Sequence, residues 1–212
     1  MAGSLRRGGA LLGILLGVTA CAARRGDPAA RLPSQPLPVI TLAGQKVAVF
    51  PATLLVAAPS LGWGDAELGS REERLRHADS ILAATLMERA PEIDWILPGV
   101  LRQAAARAGG MLGDPDRMGT AVLRNPGFKS VPFPLVSEMR NLTGVVGDRY
   151  ALVPAAIAFD RDSLGRIVAQ VNLVIPDLRS GAIRWRSVVA GEGAGPWTAL
   201  QAALVVLTPG LQ

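Results

Sequence analysis

Three long β-rich runs near the C-terminus constrain this chain more than any other feature. "RYALVPAAIAF" (149–159), "RIVAQVNLVIPDL" (166–178) and "AIRWRSVVAGE" (182–192) are separated only by the turn sequences "DRDSLG" and "RSG". Long strands with connections this short must run antiparallel, because a parallel crossover takes a dozen or more residues. The middle run sorts its side chains by parity. Ile167, Ala169, Val171, Leu173 and Ile175 share one face, and Val168, Gln170, Asn172 and Val174 share the other, which predicts one buried and one partly wet face. Gly195-Pro196-Trp197 then opens a helix with Trp197, Leu200, Leu204 and Leu207 along one side.

Upstream, "KVAVFPAT" (46–53) alternates like a strand, and "PVITLAG" just before it reads as a partner strand. Residues 54–69 read as an irregular apolar loop that holds Trp63 between two glycines. Ser70 and Glu73 form a capping box for a helix with Leu75, Ala78, Leu82 and Leu86 on its apolar face, bordered by Thr85; Pro91 ends it. "EIDWILP" (92–98) predicts a short strand, "GVLRQAAARAG" a helix stopped by Gly109 and Gly110, and Asp114-Pro115 the entry to another turn or two. A further helix is expected from about Pro134. The pattern predicts an α/β fold of the α+β sandwich type. Its sheet is mixed and largely antiparallel, with helices packed on the apolar face, a C-terminal β-meander and a final helix.

The N-terminus reads as an address. Arg6 and Arg7 precede an apolar run from Gly8 to Gly17, too short for a membrane span of about 20 residues. Val18-Thr19-Ala20-Cys21 follows and looks like a bacterial lipobox, in which the Cys becomes the acylated first residue of the mature protein. At about 0.8 kcal/mol per buried CH₂, several acyl chains on Cys21 hold a protein to a membrane far more firmly than one. Ala20-Cys21-Ala22 also fits ordinary signal cleavage, which leaves a soluble periplasmic protein as the alternative. Ala22 stands where an Asp tends to retain enteric lipoproteins in the inner membrane, so the periplasmic face of the outer membrane is expected. Residues 22–38 carry four prolines and read as an extended tether. The expected division is a signal peptide at 1–20, acylated Cys21 and tether over 21–38, and one periplasmic domain over 39–212.

Composition removes several functional classes. All but Lys46 and Lys129 of the 22 basic side chains are Arg, and they are scattered along the chain, so no nucleic-acid-tracking stripe is expected despite the net charge of +5. With one Cys and one His there is neither an internal disulfide nor a His/Cys zinc site.

Taken in order, "KVAVFPAT", the capped helix, the short "WILP" strand, "RYALVPAAIAF" and above all "DLRSGAIRW" resemble a group of bacterial envelope lipoproteins. The group includes the curli secretion lipoprotein, the lipoprotein activators of penicillin-binding proteins and the N-terminal domain of TolB. The likeness covers about 45–207. In that group a strand ends in an Asp, a Thr/Ser-Gly turn follows and the next strand carries a Trp; here these are Asp177, Ser180-Gly181 and Trp185. The resemblance implies an α/β sandwich and a life in the periplasm as an accessory or assembly protein. On physical grounds Asp177 and Gly181 are read as a turn and Trp185 as core.

No catalytic or metal constellation emerges. His77 lies on the polar side of the capped helix without an orienting acid and a nucleophile in view. "DRDSLG" begins like a calcium loop at Asp160 and Asp162, yet Leu164 and Val171 stand where oxygen ligands are needed, so it reads as a hairpin turn. No cofactor is expected. The leading expectation is a non-catalytic accessory component of envelope assembly or secretion. It would contact an envelope protein through the Trp63 loop and the wet sheet face at Gln170 and Asn172. A small-molecule or lipid-binding module is the alternative, and homo-oligomerisation is left open.

Overall fold

The computed structural model describes residues 34–208. The elements in chain order are α1 (Val39–Leu42), β1 (Lys46–Val49), β2 (Leu55–Ala57), α2 (Asp65–Leu68), α3 (Arg71–Arg89), β3 (Asp94–Ile96), α4 (Pro98–Arg107), α5 (Leu135–Gly144), β4 (Tyr150–Arg161), β5 (Ile167–Pro176), β6 (Ile183–Gly193) and α6 (Pro196–Leu207). They form one mixed six-stranded sheet in the order β3-β1-β4-β5-β6, with β2 also paired to β4. The β4–β5–β6 meander is antiparallel and supplies the long ladders, whereas β1 pairs β3 and β4 in parallel over three residue pairs each.

Two sequence expectations change. "PVITLAG" does not add a strand. Its Val39–Leu42 coil into one helical turn that buries Leu42, and Gly44, at φ 70, turns the chain into β1. The stretch 54–69 is ordered rather than irregular: Leu55–Ala57 pairs in parallel with Ile157–Phe159. β1 and β2 thus lie along one side of β4, and the register irregularity between Pro154 and Ala156 falls in the interval between them.

The capped helix forms as read. Ser70 Oγ accepts from Glu73 N at 3.3 Å while Glu73 Oε2 accepts from Ser70 N at 2.9 Å, and Leu75, Ala78, Leu82, Thr85 and Leu86 are buried. Helices α3 and α6 cover the sheet face that carries Ala169, Val171, Leu173 and Ile175.

The opposite face is covered as well, by α4, α5 and the 3₁₀ turns Pro115–Arg117 and Thr120–Arg124. This second layer buries Leu101, Leu123, Met139 and Leu142 against Ala151, Val153 and Val174. Sequence reasoning placed helices on one face only. The face expected to be partly wet is dry at Asn172 and Val174 and accessible only toward Gln170 and Val168.

Residues 35–37 are hydrogen-bonded to β6 and to the last residue of α6. Gln35 N donates to Ser187 Oγ at 2.9 Å, Trp185 Nε1 donates to Pro36 O at 3.0 Å and Leu37 N donates to Leu207 O at 2.8 Å. Among the described residues no helix is long and apolar enough to cross a membrane.

Candidate functional site

The second helical layer stops at Asn125-Pro126, short of the sheet's end, and leaves a groove of about 680 Å³ on the sheet face. Register builds its floor row by row. Ala156, Asn172 and Val188 lie side by side across β4, β5 and β6; one row further on, Val56, Ala158 and Gln170 lie side by side across β2, β4 and β5. Small side chains on β4 make the floor low. Leu54 and Val56 form one wall, and Arg124, Asn125 and Pro126 form the end. Val56 is 45% exposed although its backbone is in the sheet. A volume in the range of about 300–1,000 Å³, mostly apolar, with a few convergent polar groups, is the usual form of a ligand site.

One buried atom beside the groove lacks what a buried polar group requires. Asn172 is only 5% exposed, and its Nδ2 donates to the Arg124 carbonyl at 3.3 Å. That bond fixes the amide's orientation, since only nitrogen can face a carbonyl. The other end, Oδ1, is buried with no hydrogen-bond partner among the described residues. An unmet buried acceptor costs about 1–3 kcal/mol, so its retention calls for a physical reason. Among the described residues Arg124, exposed at the groove's end, is the one charged residue lining it.

The residues singled out from sequence do not converge. Gln170 and Asn172 line the groove, whereas Trp63 is half-buried on the opposite face, its ring edge-on to Phe159 at 5.9 Å between centroids. Trp63 and the Gln170/Asn172 pair therefore do not form one continuous surface. Asp177, 1% exposed, accepts from Arg149 Nη2 at 2.7 Å, Arg179 N at 3.0 Å and Ser180 N at 3.4 Å. The Arg149 bond, with the two backbone donors, holds its carboxyl well below the usual range, at about 2. Gly181, at φ 78, donates its N–H to Asp177 O at 2.7 Å, and Trp185 is buried against the α3/α6 layer. These residues close the β5–β6 hairpin.

His77 is exposed and stacks edge-on to Trp197 at 4.5 Å. The Asp162 carboxylate is spent inside its own turn. It accepts from Leu164 N at 2.9 Å and Arg166 N at 2.8 Å, and it pairs with Arg166 Nη2 at 2.7 Å. Cys21 lies outside the described residues.

One cluster had no sequence signal. Asp79, buried in mid-helix, accepts from Ala52 N at 2.8 Å and pairs with Arg102, which also holds Asp116 at 2.7 Å. Burial pushes Asp79 up to about 6 against the pull of these donors. The cluster locks α3, α4 and the Pro115–Arg117 turn to the end of β1.

No protein-family model matches the chain, and no curated protein matches it. Among solved structures it is similar to the PelC dodecamer from Paraburkholderia phytofirmans, at 15% identity over 84% of this chain and 93% of that one, with a TM-score of 0.43. It is also similar to the C-terminal domain of LpoB from Salmonella enterica, at 15% identity over 71% and 84% of the two chains, TM-score 0.44. A third is the lipoprotein GNA1162 from Neisseria meningitidis, at 14% identity over 70% and 80%, TM-score 0.36.

Proposed function

We propose that this chain is a lipid-anchored protein of the bacterial envelope whose α/β domain acts without catalysis, by binding another envelope component in the sheet-face groove. The groove itself carries the reading. Its walls offer alkyl groups, the carboxamides of Gln170, Asn172 and Asn125, and one guanidinium, and none of these serves as a nucleophile or a general base near neutral pH.

The anchor rests on Val18-Thr19-Ala20-Cys21. Residues 1–20 act as the signal, Cys21 carries the acyl chains, and the Pro-rich segment through residue 38 leads into the domain that follows, on the periplasmic face of the outer membrane. Mass spectrometry of the mature N-terminus is expected to find an acylated Cys21; an unmodified N-terminus beyond it would make the protein soluble in the periplasm. A photo-crosslinking residue in place of Gln170, activated in intact cells, is expected to capture an envelope component. Absence of any adduct at that position sinks the binding role.

The unmet Asn172 Oδ1 specifically favours the second reading, a module that holds a small molecule or lipid. That ligand would then be the component the groove receives.

A further inference from the structure

We infer that the groove takes the chain of a single-tailed anionic amphiphile that carries an N–H or O–H donor next to its tail, such as an N-acyl amino acid or a hydroxyacyl headgroup. This inference rests on the binding role proposed for the groove and names the chemistry of its occupant.

Three observations select this class. The first is the floor. Under the groove Ala158 is paired to β2 and β5, and Gln170 and Asn172 of β5 are paired to β4 and β6, so the backbone groups of the floor lie in the sheet plane and are taken. A polypeptide laid across it would bring an N–H and a C=O at every residue, each needing a partner. Only the side chains of Gln170, Asn172 and Asn125 are there to meet them. An alkyl tail makes no such demand, and Val56, Ala158 and Ala156 supply the surface it needs.

The second is Asn172 Oδ1, an acceptor only, which is buried without a hydrogen-bond partner among the described residues. It calls for one donor, at the end of the groove where the Arg124–Pro126 segment closes over it. The third is charge. Arg124 stands at that same end, and among the described residues no carboxylate lines the groove. A donor and an anionic group therefore belong together at one end of the ligand, with the apolar tail running away from them over Ala158 toward Val56.

The matched probes are N-lauroylglycine and N-lauroylsarcosine, which share tail and carboxylate and differ in that the second carries an N-methyl group in place of the N–H. Both are titrated below their micelle concentrations, by calorimetry, into the full chain carrying Cys21→Ala, so that no acyl group of its own competes. N-lauroylglycine is expected to bind one per chain, and N-lauroylsarcosine about tenfold or more weakly, the loss of one hydrogen bond to a buried acceptor. Ala158→Phe, which fills the floor, should abolish binding of both. Arg124→Gln should weaken both alike. Asn172→Leu replaces an unmet polar group by an apolar one of similar size, and should erase the difference between the two probes while leaving the fold intact by circular dichroism.

Equal affinities for the two probes on the parent chain, or binding that survives Ala158→Phe, overturn the inference. Failure of both probes to bind overturns it too. In that last case the crosslinker at Gln170 separates the two levels: a polypeptide adduct leaves the binding role standing without this ligand class, and no adduct removes both.

Discussion

Gly191 of β6 lies so close to Ala203 of α6 that a Cβ at position 191 would sit 2.0 Å from the Ala203 backbone nitrogen. Gly193 repeats the relation one turn back, with the Ala199 nitrogen at 2.4 Å. The two glycines let a helix backbone rest directly on a strand, and this contact seats α6 on the meander. Gly191→Ala cannot be absorbed by a side-chain rotation, since the clashing atoms are backbone. Overpacking of a core commonly costs about 1–3 kcal/mol, and the upper end is expected here. Urea unfolding measures it; a midpoint equal to that of the parent would show that α6 is free to lift.

The Asp79–Arg102–Asp116 cluster makes a different kind of prediction. Asp79 satisfies the Ala52 N–H where β1 has ended and β2 has not begun, and it gives Arg102 a buried anion. Asp79→Ala leaves the Ala52 N–H without a partner and Arg102 with Asp116 alone, and should cost about 1–3 kcal/mol, the penalty for an unmet buried donor. Asp79→Asn keeps an acceptor for Ala52 and should cost distinctly less. The ordering of the two unfolding midpoints checks the assignment.

The difference between what the sequence disclosed and what it hid follows from the range of the forces. Ser70 and Glu73 announce a helix start because capping is settled within four residues, and the β4–β5–β6 meander is legible because short turns force neighbouring strands to pair. β2 is three residues long, too short to show a period, and it exists because Phe159 O and Ile157 N are waiting for Ala58 N and Leu54 O. Asp79 looks like any polar residue of an amphipathic helix until α4 brings Arg102 to it. Gln170 and Asn172 were rightly placed on the same face. The parity that placed them carries no information on how far the second helical layer extends, and that extent is what turns a wet face into a groove.

Trp185 Nε1 donates to Pro36 O at 3.0 Å, the bond that fastens the incoming N-terminal segment across β6. Trp185→Phe keeps an aromatic ring in the core and removes the donor. A loss of about 1 kcal/mol in stability is expected, as for one hydrogen bond. Proteolysis before Leu37 should also become faster. Unchanged cleavage there would mean that Gln35 N to Ser187 Oγ and Leu37 N to Leu207 O suffice to hold the segment.

Two carboxylates should bend the pH profile of stability in opposite directions. Asp177 is held at about 2, below its ordinary 3.8, chiefly by the Arg149 bond, so the fold prefers its ionised form. That contribution is whole above about pH 4 and is lost as pH falls through 2. Asp148 is raised to about 6 because burial outweighs the pull of Lys46, with Asp94 adding repulsion, and neither of its buried oxygens has a hydrogen-bond partner. Here the fold prefers the protonated form. Its contribution is whole below about pH 4 and is lost as pH rises through 6, and Asp79, raised by burial to about 6, bends the curve in the same sense. Asp148→Asn removes the unpartnered charge. It should match the parent near pH 4 and exceed it at pH 8 by about 1 kcal/mol, a figure reduced for the partial solvent access of the site. Asp177→Asn should behave in reverse, weaker than the parent at neutral pH and converging on it as pH falls from 4 toward 2. Urea midpoints across pH 2–8 test both, and an Asp148→Asn profile parallel to that of the parent would show that water reaches this carboxylate freely.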